Sequence, residues 1–317
     1  MLNKIDNAIV GFVDILGFKS LVRAPGNRVK NAKKLDVAIR NALEWFGGYE
    51  AFKDTIESEW QIKIFSDCLC VSKPATEMGM VVVLNALSGF IKEMLYAGFP
   101  VRGAITIGEH LESEYMIFSP AQIEAYEIEQ VQAIYPRVLI SQKIVEYINS
   151  IRDDDMRMLA KEYAVIDEDA NTFVNYLVFE YNDSWLSGHN FYLTLKKYIE
   201  QNMLLNAQDK YTLNKYIWMA KYHNWSLHYT AKVLKNTDVL CEDDIWSFSA
   251  LLIRNVTYKS KFRCLLWDDD VYKKLFGEDR FSESPAIYKY YIRKNENVDW
   301  IKTTEARTED DEPDDFI

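Results

Sequence analysis

The spacing of apolar and polar residues switches between two periods along the first 141 residues of the chain. Runs rich in β-branched and aromatic residues predict strands, and apolar residues three or four positions apart predict amphipathic helices. Ser66 and Asp67 interrupt an apolar run that is too long for one ordinary strand, which predicts a hairpin with its turn at these residues. The elements predicted in this way are strand 7–15, helix 30–52, hairpin 60–72, helix 78–97, strand 101–111, helix 120–134 and strand 137–141.

This order of elements predicts the fold class. Strand, helix, two strands, helix and strand form a βαββαβ unit, and a further helix and strand follow it. Such an order is typical of an α+β protein with a ferredoxin-like palm. We expect an antiparallel-centred sheet with its helices on one face.

The second half of the chain has a different pattern. Residues 189–235 predict long amphipathic helices rich in Tyr and Trp. Residues 305–317 carry seven acidic residues and one arginine, and such a run buries too little apolar area to offset the entropy of ordering it. We therefore expect a palm domain at 1–165, a mostly helical C-terminal extension at 166–300 and an acidic disordered tail at 301–317.

Charge and composition narrow the range of functions. The net charge of −11 argues against a protein that coats nucleic acid, because neutralising phosphates requires clustered Lys and Arg. We find neither a signal segment nor a membrane-spanning run in the sequence, so we expect a cytoplasmic protein without membrane contact. The four cysteines lack zinc-site and C-x-x-C spacing, which predicts free thiols.

Two aspartates carry the candidate chemistry. Asp14 ends the first predicted strand, and Asp67 lies at the turn of a hairpin whose first strand would lie beside it in a palm sheet. Two unpaired carboxylates at adjacent strand ends repel each other unless a divalent cation neutralises them. This pattern predicts a magnesium site with the Ile15 carbonyl as a third ligand. The alternative is that both aspartates are ordinary turn or capping residues.

Two further features favour a phosphate ligand. The backbone turns at Gly17 and Phe18, and amide groups around a glycine turn can face a triphosphate. Arg102 begins a strand that should be central in the sheet, where an unpaired guanidinium is costly. A phosphate would bind it bidentately, whereas an ion pair with a nearby carboxylate is the alternative.

Three segments, "FVDILGFKSL", "IKIFSDCLCVS" and "VRGAITIGE", resemble in order and spacing the catalytic domain of the class III adenylate and guanylate cyclases. The resemblance implies that Asp14 and Asp67 hold two Mg²⁺ or Mn²⁺ ions in each site and that Arg102 binds the β and γ phosphates. It implies that Lys63 contacts the base. Tyr49, which precedes the hairpin, is a candidate to stack on the base, and packing within its helix is the alternative. It also implies a homodimer with interfacial active sites.

Other segments, "SPAQIEAYEIEQ", "IYPRVLIS" and "KYIWMAKYHN", are more similar to the bacterial anti-phage pyrimidine cyclases of Pycsar systems. Ile123 and Glu127 stand where purine cyclases carry an Asn and an Arg, and Arg137 is our candidate to replace them. The resemblance therefore favours a cyclase that acts on UTP, ahead of CTP, and whose product signals to a separate effector. The alternatives are a purine cyclase and a catalytically inactive nucleotide sensor.

Overall fold

The computed structural model describes residues 3–47, 60–113, 115–177, 185–236, 251–253 and 262–265. Its strands are β1 Asn3–Ile15, β2 Gln61–Phe65, β3 Cys68–Pro74, β4 Val101–Glu112, β5 Ile117–Phe118, β6 Val138–Ile140, β7 Ala164–Ile166, β8 Thr172–Val174 and β9 Arg263–Cys264. Its helices are α1 Phe18–Arg23, α2 Arg28–Gly47, α3 Glu77–Tyr96, α4 Pro120–Gln132, α5 Gln142–Ser150, α6 Asp154–Glu162, α7 Trp185–Leu205 and α8 Lys210–Asn236.

The first four strands form the predicted palm. They lie in the order β2-β3-β1-β4, and each pairs with its neighbour in antiparallel fashion. This is the strand order of the split βαβ, ferredoxin-like arrangement, so the predicted α+β fold is confirmed. The hairpin at 60–72 is also confirmed, and its turn residue Ser66 adopts a left-handed φ of 57°. We expected its first strand to lie beside β1, which is wrong: the second strand, β3, pairs with β1, and β2 lies at the edge of the sheet.

Helices cover both faces of this sheet, which differs from the expectation that they lie on one face. Ile9 and Val13 of β1 belong to the main core, to which α2 and α3 also contribute. Ala8 and Val10 form a separate cluster with Ala121 of α4. Because successive side chains of a strand point to opposite faces, α4 lies on the face away from α3.

Helix α3 is the central core helix. Thr76 caps its N-terminus by accepting a hydrogen bond from the Gly79 amide at 2.9 Å. Among the described residues, α3 alone has the length and apolar composition of a membrane span. However, 72% of that stretch is buried inside the protein. Its apolar character is that of a helix packed in a protein core.

The sheet continues beyond the palm. β6 lies parallel to β4, and β8, β7 and β9 extend the same sheet in that order. Two helices, α5 and α6, follow β6, and the Asp153 side chain caps α6 by accepting a hydrogen bond from the Met156 amide. The boundary proposed at 165 lies within β7, which pairs with β8, and it stays a prediction. The tail at 301–317 lies outside the described residues.

Candidate active site

The structure brings Asp14 and Asp67 together at one end of the palm sheet. Asp14 pairs in register with Cys68 of β3, the residue after Asp67. The Ile15 amide donates to the Asp67 carbonyl at 3.1 Å, which closes the end of β1 against the hairpin turn. Ligand atoms of Asp14, Asp67 and Cys68 all lie within 4.8 Å of one another, and all three residues are partly exposed.

The electrostatics of this pair favour a cation. Burial raises the pKa of the Asp14 carboxyl to about 6, and the Asp67 carboxylate contributes further to the rise. The Arg102 guanidinium opposes the rise but does not cancel it. Ionised Asp14 is therefore poorly stabilised by the protein alone, and a divalent ion would stabilise it.

Arg102 lies next to the aspartates. It is the register partner of Asp14 on β4, and its Nε is 3.4 Å from Asp14 Oδ2. The same Nε lies 2.7 Å from Glu129 Oε1, so the ion pair considered as the alternative is present. These contacts involve only Nε, and the two terminal nitrogens of the guanidinium make no hydrogen bond within the described residues. A phosphate group could still bind there.

Glu129 is a site residue that our sequence analysis missed. It lies on α4, it is fully buried, and its Oε2 accepts from the Gln130 side chain. A signal for it exists in the sequence. The buried stripe of α4 consists of residues at four-residue spacing, Ala121, Ala125 and Glu129. Such positions are usually apolar, so a carboxylate among them is unusual.

The thiol of Cys68 is a second neighbour of the pair. Its Sγ lies 3.9 Å from Asp14 Oδ1. Burial, followed by the two carboxylates, raises the pKa of the Cys68 thiol to about 12, so the thiol is protonated at neutral pH. Cys68, Cys70 and Cys264 are free thiols, as predicted, and Cys241 lies outside the described residues.

The turn after β1 lies beside the pair. The Leu16 amide donates to the Pro100 carbonyl at 2.9 Å, and Gly17 adopts a φ of 80°, which glycine tolerates without strain. Ile15 is buried, and Phe18 begins α1 and packs partly against the core. The roles predicted for the Ile15 carbonyl and for Gly17 and Phe18 toward a ligand stay predictions.

Lys63 lies on β2 and contacts the far end of β4. Its Nζ is 3.0 Å from Glu112 Oε1, and it also donates to the Ser113 carbonyl. Glu112 in turn bonds His110 Nε2 through its other oxygen at 2.9 Å. Contact of Lys63 with a base stays a prediction, and it would require exchange of these partners. Tyr49 lies outside the described residues.

Arg137 does not join the aspartates. It is fully buried, and its guanidinium pairs with Asp167 and Asp169. The same guanidinium lies over the rings of Tyr135 and Trp218, at 5.2 and 5.6 Å from their centroids. We predicted a catalytic role for Arg137. These contacts bind its charge inside the core, which favours a role in packing the palm against α8, and the catalytic role stays a prediction.

The donor set at the aspartate pair fits Mg²⁺ or Mn²⁺. Carboxylate oxygens are the ligands these hard cations prefer, and both ions usually keep waters and substrate phosphates in their coordination shell. Asp14 and Asp67 are close enough to share such an ion. Within the described residues, Asp14 forms an ion pair only with Arg102, and Asp67 forms none. The arrangement can therefore hold a metal ion beside a phosphate-binding arginine.

Comparisons with known proteins complete the description. No protein-family model matches the sequence, and no curated protein matches it. The solved structures that are similar to this chain include catalytic domains of guanylyl and adenylyl cyclases. The catalytic core of a rhodopsin-guanylyl cyclase with converted specificity, in complex with ATPαS, is 12% identical with a TM-score of 0.39, covering 55% of this chain and 98% of that one.

Two further structures are similar to a comparable degree. The guanylate cyclase domain of a protein from Catenaria anguillulae in complex with GTP is 11% identical with a TM-score of 0.38, covering 55% of this chain and 98% of that one. A bacterial light-regulated adenylyl cyclase is 14% identical with a TM-score of 0.35, covering 63% of this chain and 98% of that one.

Proposed function

We infer that this protein is a metal-dependent nucleotidyl cyclase, which converts a nucleoside triphosphate to its 3',5'-cyclic monophosphate and pyrophosphate. The observation that carries the proposal is the convergence of Asp14 and Asp67 at one end of the palm sheet, with Arg102 paired in register to Asp14. Two carboxylates and an arginine in this arrangement match what phosphoryl-transfer chemistry requires.

Each side chain has a task in the proposed reaction. Asp14 and Asp67 would hold two Mg²⁺ or Mn²⁺ ions, which when bound activate the 3'-hydroxyl and neutralise charge on the phosphates. The terminal nitrogens of Arg102 bind the β and γ phosphates. The hydroxyl then attacks the α-phosphorus in line, and pyrophosphate leaves.

We propose a pyrimidine substrate, with UTP ahead of CTP. Ile123 and Glu127 occupy the α4 positions where the purine cyclases of the resembled family carry Asn and Arg, and both are exposed. Neither side chain can orient a ribose as that pair does. Together with the resemblance to Pycsar cyclases, this favours a cyclic pyrimidine nucleotide that a separate effector reads during phage infection.

We also propose that the protein acts as a homodimer with interfacial active sites. Large apolar side chains are exposed on α4 and on the neighbouring hairpin turns, an arrangement typical of a protein–protein contact. The most exposed of them are Phe65, Tyr115, Phe118, Ile123 and Val131. A second copy that covers this surface would also enclose the aspartate pair of the first, since α4 and Asp14 share one face of the sheet.

The proposal is tested by incubating the purified protein with each of the four ribonucleoside triphosphates in Mn²⁺ or Mg²⁺ and identifying the products by mass spectrometry. We expect cyclic UMP, or cyclic CMP, and pyrophosphate. Conversion of ATP or GTP alone would reject the pyrimidine assignment but would still support cyclase activity. Product formation by the Asp67→Asn variant at the unmodified rate, or no product from any nucleotide, would reject the cyclase itself.

A further inference from the structure

Arg102 is shared between two carboxylates, and it lies closer to the one that is not at the metal site. Its Nε is 2.7 Å from Glu129 Oε1 and 3.4 Å from Asp14 Oδ2. Glu129 is 0% exposed, whereas Asp14 is partly exposed. A fully buried carboxylate is screened little by water, so its attraction for the guanidinium is strong.

This geometry has a consequence for the charge at the aspartate pair. A guanidinium bound to Asp14 alone would neutralise that carboxylate and repel an incoming cation. Because Glu129 supplies the nearer negative charge, the Arg102–Glu129 pair is close to neutral as a unit. Asp14 and Asp67 then keep their negative charge for a divalent ion.

Two carboxylates hold the arginine at Nε, the nitrogen nearest the backbone. Nε donates its hydrogen bond to Asp14 Oδ2 at 3.4 Å, and Glu129 Oε1 lies 2.7 Å from it as an ion-pair partner without a hydrogen bond. The two terminal nitrogens make no hydrogen bond within the described residues. Since α4 packs along β1 and β4, Glu129 is held in place by the helix that covers the site face of the sheet. A guanidinium held by Nε presents its terminal fork to a phosphate.

We propose that Glu129 is a positioning residue, whose buried negative charge attracts Arg102 and weakens its pairing with Asp14, so that the aspartate pair binds a divalent cation and the arginine fork binds phosphate. This inference rests on the proposed function, because it assigns Asp14 and Asp67 to the metal. It adds a residue on α4 that touches neither metal nor substrate and acts only through Arg102.

The test measures binding of Mn²⁺ alone by electron paramagnetic resonance at fixed pH, without nucleotide. In Glu129→Gln the amide cannot neutralise the guanidinium, so Arg102 pairs with Asp14 and we expect Mn²⁺ to bind roughly tenfold more weakly. In the double variant Glu129→Gln with Arg102→Gln the competing cation is also gone, and we expect the affinity to return to about the unmodified value.

The matched control is Glu124→Gln, the same change on the same helix, at a carboxylate that pairs with Lys143 at the surface. It should bind Mn²⁺ as the unmodified protein does. A merely structural role for Glu129 predicts that the double variant binds no better than the single one, and that result would overturn the inference. So would unchanged Mn²⁺ affinity in Glu129→Gln.

Failure of the proposed function has a different signature. If the unmodified protein binds Mn²⁺ no better than Asp14→Asn with Asp67→Asn, the metal site itself is wrong, and Glu129 then has nothing to position. If the unmodified protein binds Mn²⁺ and the aspartate variant does not, the metal site is supported, and the comparison of the Glu129 variants decides the inference alone.

Discussion

Asp14 and Arg102 are register partners on adjacent antiparallel strands, and Arg102 Nε lies 3.4 Å from Asp14 Oδ2. The contact is longer than the 2.7 Å between the same nitrogen and Glu129. The aspartate therefore has a cation near it without being fully paired to it. The same arrangement lets a metal ion and a phosphate bind side by side, and it makes the aspartate costly to ionise in the protein alone.

Asp14→Asn should abolish cyclase activity and raise stability at the same time. The pKa of Asp14 is about 6 in the folded protein, above its ordinary value of 3.8, so stability is lost as the pH rises between these values. Asparagine cannot ionise, and we expect the variant to gain about 1 kcal/mol in the free energy of unfolding at pH 8. Urea unfolding followed by tryptophan fluorescence measures this.

The same experiment with Mn²⁺ adds a second readout. An ion that binds only the folded state stabilises that state. Mn²⁺ should therefore raise the urea concentration at the unfolding midpoint of the unmodified protein and not that of Asp14→Asn. Asp36→Asn, at an exposed ion pair with Arg40 on α2, is the control and should respond to Mn²⁺ normally. A less stable or still active Asp14→Asn would contradict the expectation.

Arg102→Lys should weaken substrate binding. Lysine keeps the positive charge beside Glu129, so the fold is retained, but it lacks the planar fork that binds a phosphate bidentately. We expect KM for the nucleoside triphosphate to rise roughly tenfold. Steady-state kinetics with saturating metal measure this, with Arg40→Lys on the exposed face of α2 as the control. An unchanged KM would remove Arg102 from the phosphate site.

Arg137 should behave in the opposite way. Replacing it by Met leaves Asp167 buried without its cation, and we expect a loss of about 3 kcal/mol in the free energy of unfolding. Where that variant fails to fold, Trp218→Phe removes only the indole donor to Asp167, which is 2.6 Å away, and gives a milder loss. The folded fraction should keep the KM of the unmodified protein. A raised KM would return Arg137 to the active site.

Glu162 should make stability depend on pH. Complete burial raises the pKa of its carboxyl to about 8, from an ordinary value of 4.5. Between these pH values the folded state binds more protons than the unfolded state. The contribution of Glu162 to the free energy of unfolding is therefore complete below about pH 4.5 and is lost as the pH rises through 8.

Urea unfolding at pH 5.5 and at pH 8.5 tests this. Between the two pH values we expect the unmodified protein to lose about 2 kcal/mol in the free energy of unfolding, and Glu162→Gln to lose little. Glu146→Gln on the exposed side of α5 is the control and should keep the full pH dependence. Equal pH dependence in Glu162→Gln and the unmodified protein would show that the carboxyl is not protonated when folded.

The palm could be predicted from the sequence because the spacing of apolar residues differs between its strands and its helices. Strand and helix patterns alternate cleanly up to residue 141, and the break at Ser66 and Asp67 located the hairpin turn. The sequence predicted that Asp14 and Asp67 are neighbours, but through the wrong strand, since β3 and not the first strand of the hairpin lies beside β1. Their roles toward a metal remain proposals.

Other features depend on contacts between distant parts of the chain. The ion-pair partners of Arg137, Asp167 and Asp169, lie 30 and 32 positions away, and no local pattern indicates them. To predict that α4 lies on the second face of the sheet, one has to know that both alternating sets of β1 side chains are apolar and that helices cover each set. Glu129 could have been found, because its spacing from Ala125 places a charge on a buried stripe.

The pairing of β6 with β8 limits where this protein can be shortened. A fragment that ends near residue 165 keeps β6 but loses β8, so a row of backbone donors and acceptors beside an apolar surface becomes open to water. Exposed strand edges of this kind pair with other chains and promote aggregation. Expression of residues 1–165 alone would therefore yield insoluble material, and a usable truncation has to retain β8 and the α8 residues that pack on it.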